Sequence, residues 1–171
     1  NSTLINFENN HLELTNNYQY LANNHQLFVI NSNSLIIKGN TITATHPNNL
    51  GGVNDAIRLM NCSTSEINQN SLNGFNIGLI ILECSSLNVN ENLLENIASF
   101  GIYTRNSQNI YVGCNTVNML ISDPTSWGIY FEETSNSQRC TGKIKSNCVF
   151  NTKRAIRMFS SLSSPSNLPE I

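Results

Sequence analysis

The stretch INQNSLNG at 67–74 decides the fold, because VNENLLEN at 89–96 and VGCNTVNM at 112–119 repeat its pattern. In each stretch an asparagine follows an apolar residue by three positions and precedes a second apolar residue by two. The pattern is found at six asparagines: Asn10, Asn40, Asn70, Asn92, Asn115 and Asn147. The intervals between them are 30, 30, 22, 23 and 32 residues, so length alone does not define the repeat.

A second landmark gives the repeat a constant internal spacing. It is an apolar residue, usually preceded by Gly or Ala, and it occurs at Leu27, Ile57, Leu79, Ile102, Ile129 and Ile156. The distance from this landmark to the next repeated asparagine is 13 residues in four of five cases and 18 residues in the fifth. A constant unit joined by insertions of variable length is typical of a solenoid, whose loops accept extra residues.

Apolar residues alternate with polar ones inside each unit. Counted from the landmark, the positions at +2, +8 and +10 are mostly apolar, as at Leu59, Leu87 and Val112. A period of two over short runs predicts strands. A unit of this length buries little by itself, so the units are predicted to stack into one continuous core.

The abundance of asparagine has a structural explanation in such a stack. Asparagine supplies 31 of the 171 residues, although it is disfavoured inside helices and strands. Stacked parallel strands lie about 4.8 Å apart, so an Asn at one position of every coil can donate its amide to the next Asn. Asn also tolerates the left-handed backbone of a sharp corner. The six repeated asparagines are therefore predicted to form a ladder at a corner.

With these in-phase positions and this ladder, residues 5–160 resemble the right-handed parallel β-helix family, the pectate-lyase-like superfamily. The resemblance implies an all-β fold, a right-handed parallel β-helix solenoid of about six coils. We assign the β-helix domain to 1–160 and a C-terminal tail to 161–171. The chain opens in mid-pattern, which suggests a piece of a longer protein. The scaffold carries lyases, hydrolases, phage tailspikes and adhesins, so the resemblance leaves the function open.

The composition argues against a nucleic-acid partner, a membrane span and a structural metal. Charged residues make up 12% of the chain and the net charge is −2, which argues against a nucleic-acid partner. No run of residues is apolar enough for a membrane span. The cysteines lack CxxC spacing and the histidines are isolated, so no structural metal is predicted. No cofactor is expected, except calcium if the protein is a lyase.

The five cysteines cannot all pair within the chain. Cys62 and Cys84 both lie five residues beyond their landmarks, so they are expected to stack one above the other. That position is compatible with a disulfide and equally with a ladder of reduced thiols. A bridge from Cys140 to Cys114 or Cys148 is a further hypothesis.

The outward positions at +1 and +3 form a stripe of aromatic, aliphatic and arginine side chains. Trp127, Tyr103 and Tyr130 are expected to lie near one another, and flat rings can stack on the apolar faces of sugars. The arginines of the stripe would contact acidic groups, and they are Arg58, Arg105 and Arg157. In the alternative interpretation the stripe packs under the inserted loops 43–55 and 118–127, or against another subunit.

An enzyme on this scaffold would need paired carboxylates, or acidic calcium ligands with a basic residue. The candidate catalytic residues are Asp55, Asp123, Glu132, Glu133, Lys153 and Arg157. The stripe holds no cluster of acids, and an ion pair between Glu132 and Arg105 is the expected arrangement there.

The sequence therefore predicts a non-catalytic polysaccharide-binding, adhesive or structural module of a secreted or cell-surface protein. The expected partners are a polysaccharide, other copies of the chain or flanking domains. The alternative is a polysaccharide lyase or glycoside hydrolase acting on an acidic polysaccharide.

Overall fold

The fold is a stack of strands. The computed structural model describes residues 4–14, 24–44, 54–120, 125–134 and 139–161, and within these ranges there are strands and no helix. The strands form three parallel sheets of six, and neighbours in a sheet are three strands apart in chain order. The chain therefore winds through six coils of three strands each. This confirms the predicted all-β parallel β-helix.

Each coil contributes one strand to each sheet. Sheet A contains β1 Ile5–Glu8, β4 Leu35–Lys38, β7 Ser63–Asn68, β10 Ser85–Asn90, β13 Gln108–Gly113 and β16 Gly142–Lys145. Sheet B contains β2 His11–Leu14, β5 Thr41–Ala44, β8 Ser71–Asn73, β11 Leu93–Ile97, β14 Thr116–Met119 and β17 Cys148–Phe150. Sheet C contains β3 Asn24–Ile30, β6 Asn54–Met60, β9 Ile77–Leu82, β12 Phe100–Arg105, β15 Trp127–Glu133 and β18 Ile156–Ser160.

In the core, the residues at one register position of successive coils stack into a column along the solenoid axis. One column of sheet A reads Phe7, Ile37, Ile67, Val89, Val112 and Ile144 from the first coil to the last. The landmark residues form a second column in sheet C, where Ile57, Ile102 and Ile129 have no exposed surface. Burying each such side chain contributes about 1.5–3 kcal/mol, so the columns supply most of the stability.

The predicted asparagine ladder runs along the corner between sheets A and B. The Nδ2 of each of the first five asparagines donates to the Oδ1 of the Asn in the following coil, for example from Asn70 to Asn92 and from Asn92 to Asn115, both at 2.9 Å. The same Oδ1 atom also accepts the backbone N–H of the donor residue, at 3.0 Å for Asn70. A second bond from Nδ2 reaches a strand carbonyl of the preceding coil, as from Asn92 to Ile67 at 2.7 Å. Asn40, Asn70, Asn92 and Asn115 are thus buried with their hydrogen bonds made.

The ladder asparagines are not the left-handed residues of this corner, so that part of the prediction was wrong. The positive φ angle belongs to the residue immediately before each ladder position, as at Gln69 with φ 57°, Glu91 with φ 55° and Ser146 with φ 57°. The side-chain ladder and the left-handed turn fall on adjacent residues, because the ladder amide must point inward while the exposed residue before it turns the chain. The ladder position needs an Asn, whereas the turning position accepts several residue types.

A second ladder, of thiols and hydroxyls, lies at the corner that follows sheet C. The backbone N–H of Cys62 donates to Sγ of Cys84 at 3.4 Å, and the N–H of Cys84 donates to Oγ of Ser107 at 3.0 Å. Sγ of Cys84 donates to the Leu82 carbonyl at 3.2 Å. Cys140, placed after the five-residue insertion, donates from its thiol to the Glu132 carbonyl at 3.1 Å.

All five cysteines are free thiols. The disulfide between Cys62 and Cys84 is therefore not formed, and neither is a bridge from Cys140 to Cys114 or Cys148. The stacked sulfurs serve as donors and acceptors for the neighbouring backbone. The neighbouring Cys62 side chain and burial raise the pKa of Cys84, and burial raises the pKa of Cys140 to about 11. The thiols of Cys84 and Cys140 thus stay protonated at neutral pH.

The described strands extend from Ile5 to Ser160, and residues 162–171 of the predicted tail, 161–171, lie outside the described residues. Residues 45–53 and 121–124 of the two inserted loops lie outside them as well. Within the described ranges, a helix long and apolar enough to cross a membrane is absent.

Candidate functional site

The candidate site is the outer face of sheet C, where side chains alternate with those of the core. Along β15, Ile129 and Phe131 point into the coil, so Tyr130 and Glu132 point outward. The predicted neighbours are in register: Tyr103 lies beside Tyr130, and Phe100 lies beside Trp127. The landmark spacing therefore placed these outward side chains correctly.

The rings of the fourth and fifth coils form one cluster, which we call the aromatic stack: Phe100, Tyr103, Trp127 and Tyr130. The Tyr130 ring is central, with its centroid 5.5 Å from Phe100, 5.6 Å from Tyr103 and 5.6 Å from Trp127. Its plane is within 14° to 22° of theirs, so the rings are stacked face to face with an offset. The expected proximity of Trp127, Tyr103 and Tyr130 is confirmed.

Two arginines of the last coil complete the stack. The guanidinium carbon of Arg154 lies 4.4 Å from the centroid of the Trp127 ring, and that of Arg157 lies 4.6 Å from it. Arg157 also lies 5.3 Å from the Tyr130 centroid and 5.0 Å from that of Phe159. These are cation–π distances. The ring faces in this stack thus contact other rings and guanidinium groups, and Tyr130 is only 8% exposed.

Sequence reasoning missed Arg154. The signal was available, because Arg154 stands two residues before its landmark Ile156, as Trp127 does before Ile129 and Phe100 before Ile102. Extending the stripe by one more outward position would have placed Arg154 next to Trp127.

In the third coil the stripe is apolar and buried. Ile77, Ile80 and Leu82 point outward from β9, yet they are 7%, 2% and 6% exposed. They pack with Met60, Phe100 and Tyr103. This part of the stripe is buried, whereas the coils on either side keep more exposed side chains.

Arg58 and Asp55 form an ion pair with each other. Nη2 and Nε of Arg58 lie 2.6 Å and 2.7 Å from Oδ2 of Asp55, whose side chain has no exposed surface. The carboxylate is therefore neutralised and inaccessible, and the guanidinium is largely occupied. Neither the predicted ligand role of Arg58 nor the candidate catalytic role of Asp55 gains support from this geometry.

Glu132 is bound by a tyrosine instead of the expected arginine. The hydroxyl of Tyr103 donates a hydrogen bond to Oε2 of Glu132. Arg105 lies beside Glu132 in register, but the described part of the chain contains no ion pair between them. Burial, and to a smaller extent the hydrogen bond to Glu132, raises the pKa of Tyr103 well above its usual range. This hydroxyl therefore remains a donor at neutral pH.

The structure does not bring together the remaining catalytic candidates that it describes. Glu133 has no exposed surface, and Asp123 lies outside the described residues. Asp55 and Glu132 are three strands apart in sheet C, which is roughly 14 Å at the usual strand spacing. Lys153 is exposed on the turn that precedes β18. No group of three His, Cys, Asp or Glu side chains suited to a metal ion occurs among the residues that the structure describes.

Charge is unevenly distributed along the solenoid. Residues 139–161, the last coil, contain six of the nine Lys and Arg residues and no Asp or Glu. The cations are Arg139, Lys143, Lys145, Lys153, Arg154 and Arg157. The last coil therefore presents a positive surface at one end of a chain whose net charge is −2.

Comparison of the chain with protein-family models, with curated proteins and with solved structures gave no match.

Proposed function

We propose that this protein is a non-catalytic polysaccharide-binding β-helix module that recognises acidic glycans with its last coil. The observation that carries the proposal is the pair of guanidinium groups of Arg154 and Arg157 over Trp127, in a coil without a carboxylate. We further propose a pectate-lyase-like ancestry and a secreted or cell-surface location, where such glycans occur.

The arginines fit this ligand class because a guanidinium binds a carboxylate or sulfate group through two parallel hydrogen bonds. Stacking on Trp127 restrains both side chains, so less rotamer entropy is lost when an anion binds. The ring faces are occupied by their neighbours, so the arginines would make the main contacts and the ring edges would make secondary ones. This differs from a track of rings that stack directly on sugars.

The environments of the candidate catalytic acids favour a binding role over catalysis. Asp55 is paired with Arg58, Glu132 accepts the Tyr103 hydroxyl, and Glu133 is buried. General acid–base chemistry needs a carboxyl within hydrogen-bond reach of the substrate. No calcium or other cofactor is needed for the proposed role.

The proposal can be tested by electrophoresis through gels containing alginate, heparin or dextran, followed by an assay for new reducing ends. Retardation by an acidic polymer without new ends is expected, and dextran should have no effect. Replacing Arg154 and Arg157 by Gln should weaken alginate binding by roughly tenfold or more, because each charge-assisted bond contributes about 1.5–3 kcal/mol. The single variants Arg154→Gln and Arg157→Gln are each matched by Lys38→Gln, which removes one positive charge from the second coil.

Trp127 is the single tryptophan, so its fluorescence reports directly on this site. Alginate oligomers should change the Trp127 emission of the wild-type chain and leave that of the double arginine variant unchanged. New reducing ends would overturn the non-catalytic assignment. Equal retardation of the double variant and the wild type would overturn the assignment of the site.

A further inference from the structure

A second candidate site lies on a different face, the outer side of sheet A in the last three coils. Tyr111 points outward from β13, two residues before Gly113. A Cβ atom added to Gly113 would collide with Cε1, Cζ and the hydroxyl oxygen of Tyr111. The ring therefore lies over the glycine, along its own strand. Glycine at 113 gives the ring the space to lie there.

The neighbours of Tyr111 and Gly113 differ on the two sides. On the side of the last coil, Lys143 is in register with Tyr111 and Lys145 with Gly113. On the other side, Asn88 and Asn90 occupy the corresponding places. The ring is thus flanked by ammonium groups on one side and by side-chain amides on the other. Ammonium groups attract carboxylates, and amides donate to and accept from hydroxyl groups.

An open cavity of about 460 Å³ adjoins the ring. Its lining consists of Asn109, Ile110, Tyr111, Thr141, Gly142 and Lys143. This volume is in the range of small-ligand sites in proteins. The cavity gives this face of sheet A a concave shape.

The local charge is positive. In the column through Tyr111 the nearest carboxylate is Glu66, two strands away, which is roughly 10 Å. The corresponding positions of coils four to six hold Asn, Tyr, Gly and Lys, and none is acidic. Outside these positions Glu91 adjoins Gly113, since its backbone N–H donates to the Gly113 carbonyl at 3.2 Å, but its Oε2 accepts a hydrogen bond from Gln69, on the side away from Lys145.

We propose that Tyr111, Lys143 and Lys145 form a second subsite for an acidic sugar unit, with the Tyr111 ring beneath the sugar and the lysines at its carboxylate. This inference rests on the proposed function, since it assumes that the ligand is an acidic glycan. It adds a separate face, so one polymer chain or two could contact the last coil from both sides.

The subsite is tested by alginate affinity electrophoresis of four variants, with thermal melting to check that each is folded. Tyr111→Ala and Lys145→Gln should each weaken alginate binding by roughly tenfold, the size of a buried aromatic or charged contact. Gly113→Ala should weaken binding without removing any side chain, because the ring must move. Lys38→Gln is a matched control for Lys145, since both occupy the same column of sheet A.

The outcomes separate this inference from the proposed function. If Tyr111→Ala binds like the wild type while the double arginine variant is impaired, the sheet A subsite is overturned and the sheet C site stands. If Tyr111→Ala is impaired and the arginine variant is not, the subsite stands and the sheet C assignment fails. Loss in both, with multiplied effects in the combined variant, supports two independent sites. A wild-type chain that neither alginate nor heparin retards overturns both proposals.

Discussion

The interior of the coils and the outer face of sheet C follow different rules, although both are built from the same strands. Inside, each residue packs on the same kind of residue above and below, as in the column of Ile57, Leu79 and Ile102. Outside, the neighbours change from coil to coil, from the Asp55–Arg58 ion pair to a buried apolar cluster and then to the aromatic stack. Stacking constrains the interior residue by residue, whereas the exterior is free to specialise.

The largest expected contrast is between an inward and an outward phenylalanine of the same sheet. Phe131 has no exposed surface and Phe28 is 47% exposed. Phe131→Ala should lower the free energy of unfolding by about 3–5 kcal/mol, because it leaves a cavity among columns that cannot collapse. Phe28→Ala should lower it by about 1 kcal/mol or less. Chemical denaturation measures both, and equal losses would show that the outer face is packed like the core.

A smaller effect is expected from interrupting the asparagine ladder. Asn92→Ala deprives the backbone N–H and Nδ2 of Asn70 of their acceptor and the Ile67 carbonyl of a donor. Buried groups left in this state cost about 1–3 kcal/mol each before relaxation, so a total loss of about 2–4 kcal/mol is expected. Asn90→Ala, on the outer face of the same coil, is the control and should change stability by about 0.5 kcal/mol. A loss no greater than in the control would mean that the ladder follows the fold without stabilising it.

The smallest effect is expected at the Tyr103–Glu132 hydrogen bond on the outer face. Tyr103→Phe should cost about 1 kcal/mol or less at neutral pH. The raised pKa of Tyr103 adds a pH dependence. The folded state holds the proton more tightly than the unfolded state, whose tyrosine pKa is about 10. This contribution is complete below pH values of about 10 and is lost as the pH rises towards the folded-state pKa.

The Tyr103→Phe variant lacks that ionisation, so its stability should fall less steeply than that of the wild type above a pH of about 10. Melting temperatures of both proteins across this range provide the comparison. Parallel declines would indicate that Tyr103 ionises normally and that its bond to Glu132 contributes nothing.

The sequence was sufficient for the repeated interior. The spacing from landmark to asparagine predicted the register of Ile67, Val89 and Val112, because a column position in a stack can hold only one kind of side chain. It also predicted which rings come together. The left-handed corner was misassigned, because asparagine is suited both to a positive φ and to a side-chain ladder, and the pattern alone does not separate the two.

The exterior could not be predicted in the same way. Register placed Glu132 beside Arg105, yet the carboxylate bonds to Tyr103, which stands two positions earlier on the same strand as Arg105. Long side chains reach diagonal neighbours, so column membership does not fix their partners. Whether Cys62 and Cys84 form a disulfide could not be decided from the sequence for a related reason. Stacked thiols are close enough for a disulfide and equally suited to hydrogen bonding with the backbone.

The unequal coil lengths show how the chain can accept insertions and deletions during evolution. Successive ladder asparagines are separated by 22 to 32 residues, yet each step along the axis is one strand spacing of about 4.8 Å. The rise of the solenoid per coil therefore stays constant when residues are inserted into the loops. Trp127 and Tyr111 belong to the same coil, so lengthening the loop before β15 would leave their axial heights matched. Loops of this chain can be lost, gained or engineered while the geometry between its faces is preserved.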